Sequence, residues 1–294
     1  MTIPTGTDLL SALITGVLLG GIFAITALGL SLVFGVMRLV NIVHGELIVL
    51  GAYLALELTR HAGLDPLVTI LIVAPVLFGF ALPLHRWLLE PLMSKGPEPA
   101  LLTTFALSII GQNIYILIFS GDTQSLQASY ATSSLALGSL RIPVMYLISF
   151  GIALVLSGGV HLMLQRTGLG REIRASSEDS VTAAGLGVNV TRVRMFVYGL
   201  AAACAAVGGV LVGLTFDFTP TSGITYLLTG FAVVVLGGLG SVKGTLIGAI
   251  LLGVIESVGA AFFGDGYRDL IGFAAFLVVL SVRPQGLFGR VATS

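Results

Sequence analysis

Long apolar runs separated by short polar breaks fill almost the whole chain. A helix rises about 1.5 Å per residue, so about 20 residues cross a bilayer core of about 30 Å. Divided at that length, the pattern predicts nine membrane-spanning helices, at 9–34, 41–57, 67–87, 100–119, 143–164, 195–216, 226–240, 245–263 and 269–282. The seventh and ninth are short for a full crossing, which suits a tilted or re-entrant segment. The expected fold is an all-α polytopic membrane bundle of eight or nine transmembrane helices. No loop between the runs is long enough to fold alone, so residues 1–294 are read as a single transmembrane domain.

Polar residues carry most information where they interrupt these runs. Arg38, Asn41, His44 and Glu46 fall within nine residues between greasy flanks. Such groups are expensive in hydrocarbon and persist where spans face protein or water. Taken as helical, Asn41, His44, Ile48, Gly51 and Ala55 share a small, polar face, while Glu46, Leu50, Tyr53 and Glu57 share another. Two roles stay open for Asn41, His44 and Glu46: the lining or gate of a pathway near the cytoplasmic side, or a hydrogen-bonded joint between the first two spans. Glu256 lies about twelve residues into its run, which puts it near mid-membrane and facing the bundle interior. Gln112 and Asn113 in the fourth span carry the same choice. The LGGLGS stretch at 236–241 is too glycine-rich for a comfortable helix and reads as a bend between spans.

Composition narrows the class. Of 294 residues, 56% are hydrophobic and only 10% charged, against about 25% in a soluble domain. Net charge is zero, so no nucleic-acid partner is implied. The four His are scattered and Cys204 has no second cysteine, so no metal cluster, disulfide or nucleophile constellation is visible. No enzyme activity and no cofactor in this chain are expected. The first ten residues lack Lys and Arg and the first run is too long for a signal peptide's apolar segment, so cleavage is not expected. Eleven of the 14 Lys and Arg fall on one side if the 165–194 loop is cytoplasmic, leaving Arg60, Arg141 and Arg268 outside. The positive-inside rule then puts the N-terminus outside and the C-terminus in the cytoplasm, with Arg283 and Arg290 counted inside.

That loop holds five Arg and a cluster of acids. Ser176, Ser177 and Asp179 are placed to cap a short helix at 180–184, with Gly185 and Gly187 ending it. On physics alone the loop is a solvated connector with a short amphipathic helix at the membrane surface.

Several motifs, in this order and spacing, resemble the permease subunits of branched-chain amino acid ABC importers. They are GLSLVFG at 29–35, NIVHGE at 41–46, GAY at 51–53, Gln112-Asn113, Gly170-Arg171, Arg174-Ala175, Glu178-Asp179, Ala183-Ala184, LGVN at 186–189 and VLGGLGS at 235–241 with Gly253 and Glu256 beyond. The resemblance spans nearly the whole chain. It departs at Glu90-Pro91-Leu92, where the family often carries Arg-Pro-Leu, and in a shorter external loop after the fourth span. It implies an inner-membrane permease that pairs with a second, similar permease. Two cytoplasmic ATPase subunits would hold ATP, and an extracytoplasmic solute-binding protein would deliver branched-chain or similar small neutral amino acids. It also implies that 165–194 is a coupling loop touching the ATPase through Arg171, Arg174, Glu178, Asp179, Ala183, Ala184 and Gly187. The alternatives are the same architecture moving urea or short amides, and a stand-alone ion-coupled carrier using His44, Glu46 and Glu256.

Overall fold

The computed structural model describes residues 5–93, 95–137 and 140–282. Helices dominate: α1 Gly6–Met37, α2 His44–Ala62, α3 Pro66–Leu84, α4 Glu90–Met93, α5 Pro97–Phe119, α6 Val144–Arg166, α7 Gly168–Glu178, α8 Ser180–Gly185, α9 Val190–Thr215, α10 Gly223–Gly237, α11 Val242–Phe263 and α12 Arg268–Val282. A π-helical turn, His85–Leu89, joins α3 to α4. An antiparallel hairpin, β1 Ser134–Leu137 with β2 Leu140–Pro143, interrupts the loop before α6.

Six helical stretches among the described residues are long and apolar enough to cross a membrane. α1 and α9 are almost wholly enclosed, while α3, α5 and α6 turn most of their apolar surface outward. That is the pattern of a bundle whose outer helices face lipid or another protein. Helix starts follow the sequence. Asp65 caps α3 ahead of Pro66, accepting from Leu67 N at 2.9 Å. Thr167, Asp179, Asn189 and Ser241 do the same for α7, α8, α9 and α11. The bend at 238–240 is present, with Gly238 at φ 91° and Gly240 at φ 81°, which only glycine adopts without strain.

Glycine lets the central helices touch at the backbone. A Cβ at Gly16 would lie 2.7 Å from the Gly253 carbonyl, and one at Gly20 would lie 2.5 Å from Ile250 Cα, so α1 and α11 meet along a side-chain-free seam. Gly209 of α9 seats against the Ile48 carbonyl of α2 in the same way.

The two ends of the bundle are tied separately. At the end carrying α7 and α8, Thr191 donates to Glu90 at 2.7 Å and Arg194 approaches the same carboxylate at 3.6 Å. At the opposite end, Arg60 donates to Gln124 at 2.5 Å, Tyr130 donates to Asp65 at 2.7 Å, and Gln124 bridges Phe218. The loop carrying Gln124 and Tyr130 is therefore docked rather than free. Arg283 and Arg290 lie outside the described residues.

Two sequence expectations need correction. The second span does not begin at Asn41: α1 ends with Arg38 in the left-handed region, φ 51°, and 38–43 is non-helical before α2 starts at His44. His44 then stands beside Thr26 and Gly29 rather than beside the end of α1. Gly29 is eight residues short of Met37, about 12 Å at helical rise, so Asn41 through Glu46 climb into the bundle instead of staying near its end. Ser176 and Ser177 do not cap a helix, because they sit inside α7, a helix the pattern did not separate from the loop. Glu256, as its place in the run implies, lies about two-thirds of the way along α11, toward the end opposite α7 and α8.

Candidate functional site

The polar groups sort into four places. His44 is 1% exposed, and its Nε2 lies 2.9 Å from the Thr26 carbonyl. With that contact, and with Gly29 seated on the ring and against the Ala201 carbonyl, His44 lies where α1, α2 and α9 meet. Asn41 is equally buried and lies next to the Tyr198 hydroxyl, although neither group reaches hydrogen-bond geometry.

Glu46 points the other way, as its place on the second face requires. It accepts from Ser108 of α5 at 3.2 Å, and Tyr115 donates to its backbone carbonyl at 3.0 Å. Its carboxylate also covers Gly223, where any side chain would strike it. Gly45 and Gly223 bring the first turns of α2 and α10 into backbone contact. A carboxylate at the meeting of two helix N-termini is electrostatically favoured. This is possible because α10 does not start at the bundle end: the chain folds back over 217–222, with Phe218 buried edge-on to Tyr53 at 5.1 Å. Gln112 is half-buried beside this region, and Asn113 is exposed on the outer face of α5, its amide donating to the Ile109 carbonyl at 2.8 Å.

Glu256 lines a cavity of about 250 Å³ between α1, α9, α10, α11 and α12, at the end opposite α7 and α8. Sequence reasoning singled out Glu256 but not its surroundings, which come from Asp217, Arg268 and Asp269 at helix ends.

The fourth place is α7–α8. Ile173 and Ala183 are buried and fix the pair against α9 and neighbouring helices. Arg171, Glu178, Asp179, Ala184 and Gly187 are exposed, while Arg174 is half-buried. The most exposed large apolar groups here are Val181 at 80% and Leu186 at 81%. Ala183 thus anchors the helix instead of presenting a surface, and Val181 and Leu186 are surface residues the motif reading missed. Hydrogen bonds from the Thr182 hydroxyl and the amides of Thr182 and Val181 hold the Asp179 carboxyl below the usual range. A further group had no motif signal: His85 of the π turn, fully buried, lies tilted at 43° to Tyr198 with ring centroids 5.3 Å apart and faces Glu90 at 3.7 Å, with Arg194 and Thr191 beyond. Only the fold brings 85, 90, 191 and 198 together. Among the described residues no group of three His, Cys, Asp or Glu could hold a metal.

These features are those of a multi-pass membrane helical bundle, with polar groups inside, a cavity at one end and a docked pair of surface helices at the other. Residues 12–280 match the family described as the permease component of the branched-chain amino acid transport system, and the chain belongs to that family. It is 30% identical to the high-affinity branched-chain amino acid transport system permease protein BraD of Pseudomonas aeruginosa, over 96% of both chains. It is 29% identical to LivH of Escherichia coli, a permease protein of the same description, over 96% of both. To the corresponding permease LivM of Salmonella typhimurium it is 28% identical, over 90% of this chain and 67% of that one. No solved structure matches. The relatives are transport permeases rather than enzymes.

Proposed function

We propose that this chain is one of two membrane subunits of an ATP-driven importer of branched-chain or similar small neutral amino acids, sited in the inner membrane. It forms a single transmembrane domain with 165–194 as its coupling loop. In this reading α2, α10 and α12 complete the crossings begun by the six longer stretches. The α7–α8 end faces the cytoplasm, the N-terminus lies outside and the C-terminus inside. The observation that carries the reading is the α7–α8 pair: anchored on the enclosed helix α9, it exposes Val181 and Leu186 between Arg171, Glu178 and Asp179. An exposed apolar pair ringed by charge is the anatomy of a protein contact. Two separate ATPase subunits holding ATP dock there, and their closure moves α9 and the helices packed on it. An extracytoplasmic binding protein delivers the solute at the other end.

Similarity to both LivH and LivM supports a heteromeric pair. Asn113, turned outward on α5, would face the second permease, and the half-buried Gln112 stays beside Glu46. Asn41, His44, Glu46 and Glu256 lie along the inside, and of these Glu256 lines an open cavity.

Gentle solubilisation and affinity capture test the assembly. The expected co-purifying chains are nucleotide-binding subunits and a second permease; capture of the chain alone, under conditions that keep known complexes intact, would overturn the reading. Replacing Glu178 and Asp179 together by Ala is expected to reduce both ATPase recovery and uptake.

A further inference from the structure

We propose that the cavity at the end opposite α7 and α8 is a binding site for the head group of a free amino acid, with Glu256 taking its ammonium and Arg268 its carboxylate. The inference rests on the cargo class proposed above and adds where, and by which groups, this chain reads it.

The geometry is specific. Glu256 is 5% exposed, lines the cavity, and receives no hydrogen bond among the described residues. Its carboxylate lies against Gly272 of α12, where a Cβ would sit 2.4–3.0 Å from its side-chain atoms, so α12 closes this wall only because residue 272 has no side chain. Arg268 opens α12 and lines the same cavity. One of its terminal nitrogens donates to Asp265 at 2.9 Å, but its Nε is buried with no acceptor. Glu256 and Arg268 form no ion pair with each other among the described residues. Glu256 is buried with no hydrogen bond, and the half-buried Arg268, held through one terminal nitrogen by Asp265, keeps a buried Nε with no acceptor; not joined to one another, these two sites carry an unmet hydrogen-bonding cost. A ligand bearing both an ammonium and a carboxylate meets both needs at once.

The remaining walls choose among ligands. Leu19, Ile22, Phe23 and Val212 supply an aliphatic and aromatic surface suited to a hydrocarbon side chain. Asp217 and Asp269, exposed at the mouth, add negative charge that draws in a cationic group. A bare metal cation is disfavoured by Arg268 on the wall. A simple carboxylic acid is disfavoured by three carboxylates. A simple amine would leave Arg268 Nε unpaired. The volume, about 250 Å³, falls just below the roughly 300–1,000 Å³ of drug-sized pockets and suits a small solute.

The test pairs ligands with variants. The full chain, reconstituted in lipid nanodiscs, is titrated with L-leucine, with isoamylamine, which lacks the carboxylate, and with 4-methylpentanoate, which lacks the ammonium. Leucine is expected to bind best, by on the order of tenfold or more over each fragment, the scale of a charge-assisted hydrogen bond. E256Q is expected to weaken leucine and isoamylamine on the order of tenfold and to spare 4-methylpentanoate. R268Q is expected to do the reverse with the two fragments. A variant that merely misfolds loses all three ligands alike, so the crossed pattern separates recognition from collapse. T229F, which fills the cavity while keeping both charges, is expected to weaken all three while thermal stability is kept. Failure of the wild-type chain to bind leucine, equal binding of a fragment, or parallel losses in folded E256Q and R268Q would each overturn the site. Leucine uptake by the assembled importer is scored separately: its absence in the wild type overturns the cargo reading, whereas normal uptake with unaffected variants overturns only the site.

Discussion

His44 and Glu256 are both ionisable side chains set in apolar helices, and the fold treats them in opposite ways. Around His44, α1, α2 and α9 close to backbone contact, Gly29 seats on the ring and against the Ala201 carbonyl, and the Thr26 carbonyl meets Nε2 at 2.9 Å. Glu256 is also held between helices, with α12 closing on it at Gly272, but one side of its carboxylate borders open volume and it has no hydrogen bond among the described residues. Packing density, not polarity, separates the two. Where glycines let helices meet, a polar group becomes a fixed joint. Where a cavity remains beside it, it is left to meet whatever enters. An intramembrane charge is thus a statement about function only once its surroundings are known.

The most severe way to break this contrast is to force the closed region open. A Cβ at Gly209 would collide with the Ile48 carbonyl. Gly209→Val is expected to cost about 3 kcal/mol or more, since backbone cannot yield as a flexible side chain can. Thermal unfolding of the detergent-solubilised chain measures it, and near-native stability would show that the α2–α9 contact is not a tight seam.

Replacing His44 by Ala comes next. It removes the bond to Thr26 and leaves a void between helices that cannot close further, an expected loss of about 2–3 kcal/mol. If His44 is a joint, uptake should fall only in proportion to folded protein on the membrane. A collapse of uptake at full stability would move His44 from joint to pathway.

The sequence carried much of this contrast but not its cause. Polarity at Asn41, His44, Glu46 and Glu256 was visible, because ionisable residues stand out in greasy runs. The opposite aim of His44 and Glu46 was visible too, because helical periodicity sets it. The bend at 238–240 followed from its glycines, and Asp179 as a cap from its spacing to 180–184. The depth of 41–46 was hidden, since Arg38 carries no mark of a left-handed residue and a broken crossing has the same hydropathy as a continuous one. The cavity was hidden because its walls come from helix ends scattered over 19–269. The His85–Glu90–Arg194 group was hidden for the same reason. Val181 and Leu186 were passed over because apolar residues in this chain look ordinary until the fold leaves them bare.

A smaller effect belongs to the docked loop carrying Tyr130, outside both regions. Burial first, and then the hydrogen bond to the Asp65 carboxylate, push the Tyr130 phenol up to about 12. A raised folded-state value means the neutral phenol is favoured in the folded chain. Its contribution is complete below the unfolded value of about 10 and is lost as pH rises from about 10 through about 12. Tyr130→Phe should flatten that alkaline limb of a stability curve and cost less than about 1 kcal/mol at neutral pH. An unchanged limb would mean that Asp65 and Tyr130 part in solution.

The smallest expected effect sharpens the comparison from the open side. Thr229 lines the Glu256 cavity, half-buried, with its hydroxyl donating to the Thr225 carbonyl at 3.1 Å within its own helix. Thr229→Ala removes a methyl and a hydroxyl from a wall that already borders empty volume. No neighbour loses its only contact, the Thr225 carbonyl keeps its helical bond, and Ala is the better helix former. The change in stability should stay within about 0.5 kcal/mol. Set beside His44→Ala, it compares deletion from an open wall with deletion from a closed joint. If the region around Glu256 were packed as tightly as the seam around His44, Thr229→Ala would instead cost about 2 kcal/mol through a new void, and the two regions would differ in chemistry alone rather than in packing.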